Sequence, residues 1–163
     1  MEFAHTYPHL LIGLHAGLGE LGALAFLWVF VELFTGSESS AKRVKTAALI
    51  GVVFLLLSWV AGGYYYLSHY QTDVKNVIKA GPQPWAHSVI TETKEHVFFF
   101  IPILAVLVWG LLRRYGDTLR EDRRMARSIM LLAGLIVLLA FTMAGMGYLI
   151  SSGMRSALEL KAL

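Results

Sequence analysis

The sequence contains no cysteine. That excludes disulfide frameworks, iron–sulfur clusters, thiolate zinc sites, covalently attached c-type haem and cysteine nucleophiles, so any cofactor must be held by His, Met, Tyr or carboxylates. Charge is scarce as well: Asp, Glu, Lys and Arg make up 15% of the 163 residues against 56% apolar ones, and the mean hydropathy is +0.60. Soluble domains carry about 25% charged residues, so this composition makes the bilayer part of the chain's solvent. No Lys or Arg precedes the first apolar run. That run is too long for a signal-peptide core and reads as a membrane segment of the mature chain. A phosphate loop, a Gly-x-Ser-x-Gly elbow, a His-Glu-x-x-His pair and a dinucleotide fingerprint are all missing, which leaves hydrolase and nucleotide-binding readings without support.

What the sequence does contain is four long apolar segments, at residues 9–35, 46–70, 93–114 and 127–152. Each is long enough to cross a hydrocarbon core of about 30 Å as a helix. The net charge of +3 is a topology signal and not a nucleic-acid patch, because the basic residues gather in two short loops. Lys42, Arg43 and Lys45 follow the first segment; Arg113, Arg114, Arg120, Arg123, Arg124 and Arg127 follow the third. The positive-inside rule places both loops in the cytoplasm, and the N-terminus, the C-terminus and residues 71–91 on the other side. The expected fold is an all-α integral membrane protein, an antiparallel up-down bundle of four transmembrane helices in one domain, residues 1–163, multi-pass in a plasma (inner) membrane. Within the outer connection, residues 71–91, Val74, Val77 and Ile78 recur at helical spacing and predict a short interfacial helix. Gly81-Pro82-Gln83-Pro84-Trp85 then breaks the chain, with Pro84 placed to open the third span and Trp85 at headgroup level.

Counting 1.5 Å per residue from the basic ends converts position into depth. All six histidines, His5, His9, His15, His69, His87 and His96, then fall at the outer face, with Glu20, Asp73, Glu92 and Glu95. Glu32, Glu38, Asp117, Glu121 and Asp122 mark the cytoplasmic edge. A histidine at a headgroup boundary needs no ligand, and His5, His9 and His87 are read that way. Glu20 differs, since an unpaired carboxylate inside a span costs about 2.5–3.5 kcal/mol on insertion scales; it is expected to face the bundle interior with a partner.

On the third helix Glu92, Glu95, His96, Phe99 and Ile103 fall within an arc of about 100°, the width of one buried face. Glu92 and His96 are i, i+4 neighbours, suited to a shared ion, to a carboxylate orienting a ligand imidazole, or to a surface network with Lys94. On the second helix Ser58, Gly62, Tyr65 and His69 define another inward face, although Tyr64, Tyr65 and Tyr66 also suit an aromatic belt. Met143 and Met146 lie a turn apart on the fourth helix, as core methionines do. Glycines at 13, 17, 19, 22, 62, 63, 145 and 147 concentrate in the outer half, where they serve close helix packing or the flat walls of a macrocycle. Pro102 predicts a kink below His96, with the Phe98 carbonyl freed.

Three functional readings follow. The first is a small b-type cytochrome whose haem lies near the outer face on His15 and His96, or on His69 in place of one of them, with Glu20, Glu92 or Glu95 accepting protons near a quinone. The second is a copper, iron or zinc site built from His15, His69, His96, Glu20, Glu92 and Glu95, with Met143 and Met146 as soft ligands for Cu(I). The third is an accessory subunit of a larger membrane complex. Expected partners are the lipid bilayer, a quinone or an outward-facing redox protein, and a second copy or a larger complex; nucleic acid is not among them. Whether the chain is an enzyme stays open, and the fold alone does not decide function.

Overall fold

In the computed structural model, residues 8–36, 41–119 and 121–163 are described; His5, Glu38 and Arg120 lie outside them. The chain is helical almost throughout: α1 Pro8–Thr35, α2 Ala41–Tyr65, a π-helical stretch Tyr66–Val74, α3 Lys75–Ala80, a second π-helical stretch Ala86–Thr91, α4 Glu92–Val97, α5 Phe100–Tyr115 and α6 Arg123–Ala162. Four continuous helical rods are long and apolar enough to cross a membrane: Pro8–Thr35, Ala41–Ala80, Ala86–Tyr115 and Arg123–Ala162.

The rods outrun the apolar segments because polar residues continue a helix once tertiary contacts support it. Residues 71–80 are thus not a loop. The expected interfacial helix exists as α3, but it extends the second rod, with Ile78 fully buried. Only residues 81–85 break the outer connection. Pro84 stands just before the third rod, where its carbonyl accepts from the His87 and Ser88 amides at 3.1 Å. At the opposite end, the Asp122 carboxylate caps α6 by accepting from the Met125 amide at 2.9 Å, which starts that rod at Arg123 rather than at residue 127.

The rods close into a ring in which α1 packs on α2 and α6, and α5 packs on the same two helices. Chain connectivity makes each neighbouring pair antiparallel, so the up-down bundle is present. The α1–α2 register is marked by glycines: a Cβ at Gly51 would strike Phe26, at Gly22 Leu55, at Gly19 Ser58 and at Gly62 His15. Small residues at these crossings let the two backbones approach.

The core formed by Phe26, Val29, Leu55, Val108, Ile129 and Ile136 fills the half of the bundle near the basic loops. Met143 belongs to it and Met146 packs against it, which agrees with the packing role of these methionines. A smaller cluster of Tyr70, Ile78 and Ala86 closes the histidine end. Both basic loops lie at one end, where Lys45 Nζ meets Asp117 Oδ2 at 2.8 Å and Gly36 turns the chain at φ +57, a left-handed conformation that costs glycine little.

Pro102 is buried, and the helix breaks at Phe98 and Phe99 between α4 and α5. The Phe98 carbonyl is not left free, because the Ile101 amide reaches it at 3.3 Å. The kink is present and its backbone is satisfied by a tighter turn.

Candidate functional site

The histidine end holds two hydrogen-bond chains side by side. In the first, the Thr91 hydroxyl donates to the Ala86 carbonyl at 2.9 Å. Having spent its one proton, it accepts from the Tyr70 phenol, 2.8 Å away. The phenol in turn accepts from His87 Nδ1–H at 3.0 Å. This direction satisfies every member, and the reverse would leave the Ala86 bond unmade. His87, Tyr70 and Thr91 are each no more than 4% exposed. His87 Nε2 lies 4.0 Å from the Glu92 carboxylate, which is 59% exposed, so the chain runs from a surface carboxylate into the interior.

In the second chain, Lys75 Nζ donates to Gln71 Oε1 at 3.3 Å, which orients the amide so that Nε2 donates to the Tyr66 phenol. The phenol proton is then left for another acceptor. Glu95 Oε1 is buried and has no partner among the described residues. The two chains touch through the stacked rings of Tyr66 and Tyr70, 5.4 Å apart.

The second rod presents the inward face expected of it. Ser58 and His69 are buried, the rings of Tyr65 and His69 lie 5.8 Å apart, and His69 Nδ1 stands 3.8 Å from Asp73. His15 docks on this face. Its Nδ1 lies 2.9 Å from the Ser58 carbonyl and 3.1 Å from the Ser58 hydroxyl, and the hydroxyl proton goes to the His15 carbonyl at 2.7 Å. Nδ1 is therefore the protonated nitrogen, and Nε2 is the one with a free lone pair. The glycine at 62 makes room for the ring.

On the third rod the expected inward arc is reversed. Glu92, His96, Phe99 and Ile103 are exposed and Glu95 is half-buried, while Ile101, Pro102, Ala105 and Val108 face the core. Periodicity grouped these residues correctly, but the polar side of the group looks away from the bundle. His96 Nδ1 is held by the Glu92 carbonyl at 2.5 Å, which again leaves Nε2 free. His96 lines a shallow groove together with Ser88, Val89, Glu92, Thr93 and Val97.

Lys94 instead turns inward: its Nζ lies 3.2 Å from where a Cβ on Gly147 would stand. At 100° per residue His96 looks away from Lys94. Glu20, expected to turn inward, is exposed and makes no hydrogen bond or ion pair among the described residues. His9 is exposed. No three His, Asp or Glu side chains among the described residues gather as ligands for one ion.

Tyr70, Thr91 and Gln71 are functional candidates with no signal in the sequence beyond lying in or beside the polar connection 71–91, and His87 and Tyr66, expected as a boundary histidine and part of an aromatic belt, join them in the hydrogen-bond chains. Comparison of the chain with family models, with curated proteins and with solved structures returns no match.

Proposed function

We propose that the chain is a small multi-pass membrane redox protein, working at the outer membrane face, that moves protons together with electrons. The observation that carries this reading is the oriented chain His87–Tyr70–Thr91, buried with its phenol ring stacked on Tyr66. Polar groups inside a membrane bundle are costly unless partnered, and those that persist mark proton and substrate paths. On oxidation the Tyr70 phenol can pass its proton to His87 only from the other tautomer, in which the imidazole proton sits on Nε2 toward Glu92 and Nδ1 accepts; the proton returns on reduction. Glu92 gives the imidazole an exit to the surface, and the buried Glu95 Oε1 is a further proton acceptor at this end.

For the electron carrier we propose haem b. His96, and by the same geometry His15, has the tautomer a haem ligand needs, with Nδ1 fixed by a backbone carbonyl and Nε2 available. His96 is the stronger candidate because it is exposed and lines a groove, where a quinone or an outward-facing redox partner can also approach. Bound there, haem would supply the one-electron step. A copper, iron or zinc ion is the second reading; it would draw on Glu92 and His96 and need further ligands from outside the chain.

The test is an optical spectrum of the detergent-purified protein, air-oxidised and then reduced with dithionite, with metal analysis on the same sample. A Soret band with reduced α and β bands, lost in His96→Ala, is the expected result. Stoichiometric copper, iron or zinc without haem bands would transfer the proposal to the ion site. Absence of both would leave the proton chain as part of an accessory subunit.

A further inference from the structure

The face of α1 that turns away from α2 and α6 has a pattern that neither the polar site nor the bundle uses. Leu10, Gly13, Gly17, Glu20, Leu24, Leu27, Val31 and Phe34 follow one another at alternating steps of three and four residues. All are exposed or half-exposed. At 100° per residue they keep within an arc of about 120°, on the side of α1 opposite His15. A stripe with this spacing, about 36 Å long, is the seam of a helix pair. The neighbouring exposed residues Leu14, Leu21 and Trp28 lie beside the stripe.

Two features mark this face, of which the second separates it from an ordinary lipid-facing one. A Cβ added at Gly13 or Gly17 would meet nothing within 4 Å, as at Gly63, Gly110 and Gly145, whereas one added at Gly22 or Gly62 would strike a neighbouring helix. The notch formed by the first two glycines is therefore empty within this chain. One turn further along, the Glu20 carboxyl stands exposed and unpaired among the described residues. It lies about 22 Å from the Thr35 end of the helix, well inside the hydrocarbon of a spanning rod. A Leu, Val or Ile there would suit lipid; a carboxyl requires a donor at the same depth.

We propose that this face pairs with α1 of a second copy of the chain. Copies inserted with one topology run in the same direction, so a two-fold axis along the membrane normal sets each seam residue against its own counterpart. Gly13 and Gly17 then meet the same glycines and let the backbones close. Leu24, Leu27, Val31 and Phe34 meet apolar equivalents along the other half. The two Glu20 carboxyls arrive at one depth, and a single shared proton satisfies both: the protonated one donates to the ionised one. Self-matching in size and in hydrogen bonding selects a second copy over an unrelated helix. This inference does not depend on the redox reading.

The absence of cysteine makes the test clean. Single cysteines are placed along α1 of the full chain, reconstituted in lipid vesicles, and oxidised. Cross-linking at positions 13, 17, 24 and 31, with little at 14 and 21, is the expected result. Gly13→Ile and Gly17→Ile, whose side chains enter empty space in the monomer, should leave helicity and melting temperature unchanged and raise the dimer dissociation constant about tenfold or more. Glu20→Gln, which keeps a donor and an acceptor, should retain the dimer. The proposal is overturned if the wild type stays monomeric at every protein-to-lipid ratio, if cross-links appear at 14 and 21 or on the groove at Thr93 instead, or if the glycine variants dimerise as tightly as the wild type.

Discussion

The imidazole of His15 occupies the volume that a side chain at residue 62 would need: a Cβ on Gly62 would stand 2.5 Å from His15 Nδ1 and 2.7 Å from Cε1. Two spans are locked together by a ring against a bare backbone, and the Ser58 carbonyl and hydroxyl fix the tautomer. Gly62→Ala should therefore displace the ring, break both bonds and destabilise the bundle by about 1–3 kcal/mol. Gly63→Ala, whose Cβ meets nothing within 4 Å, should be nearly silent. Denaturant titration in detergent micelles would separate the two.

Tyr70→Phe removes the acceptor for His87 Nδ1–H and the donor to Thr91 in one step, in a region no more than 4% exposed. It should cost about 1–3 kcal/mol. Tyr64→Phe on the same rod, at an exposed phenol, serves as the control and should change stability by less than about 0.5 kcal/mol. The observable is the midpoint of unfolding followed by circular dichroism.

Position 96 should divide function from stability. Because its ring is exposed and its only hydrogen bond among the described residues is to the carbonyl one turn earlier, His96→Ala should leave the melting temperature within a few degrees of wild type while abolishing any haem absorption. His69→Ala, at a buried ring, should lower stability whether or not haem is bound. Thermal melts and reduced-minus-oxidised spectra of both variants would show which histidine is a ligand and which is structural.

Orientation across the membrane follows from the two ends of the bundle. Single cysteines at Asp73, on the histidine end, and at Thr118, in the loop beside Lys45 and Asp117, should react with an impermeant maleimide from opposite sides of sealed vesicles. Thr118 should be protected in cells. Labelling of Thr118 in cells with Asp73 protected would reverse the assignment of the outer face, and labelling of both from one side would overturn the spanning arrangement itself.

The four rods were legible in the sequence because a run of some twenty apolar residues needs a helix and a bilayer whatever its neighbours do. The inward face of the second rod was legible too, since α-helical period holds unbroken from Ser58 to Tyr65 and leads to His69. The direction of a face was harder to read. Glu20 and the arc from Glu92 to Ile103 were grouped correctly by period, yet the assumption that polar means inward turned both the wrong way. A polar intramembrane group needs a partner, and that partner need not belong to the same chain. The roles of His87 and Tyr70 are not legible in the sequence, because they lie at the two ends of a connection whose helical spacing, Val74, Val77 and Ile78, does not involve them, and because their value comes from each other.

The two π-helical stretches, Tyr66–Val74 and Ala86–Thr91, carry His69, Tyr70, His87 and Thr91 between them. A π-helical turn takes one more residue than an α-helical turn to cover the same ground. Deleting a single residue from either stretch would let it relax to α geometry and rotate everything on one side by about 100°. The phenol and the imidazole would swing apart although both remained in the chain. At this end of the molecule, then, counting matters as much as chemistry: related chains should tolerate conservative exchanges here far better than a change of length by one.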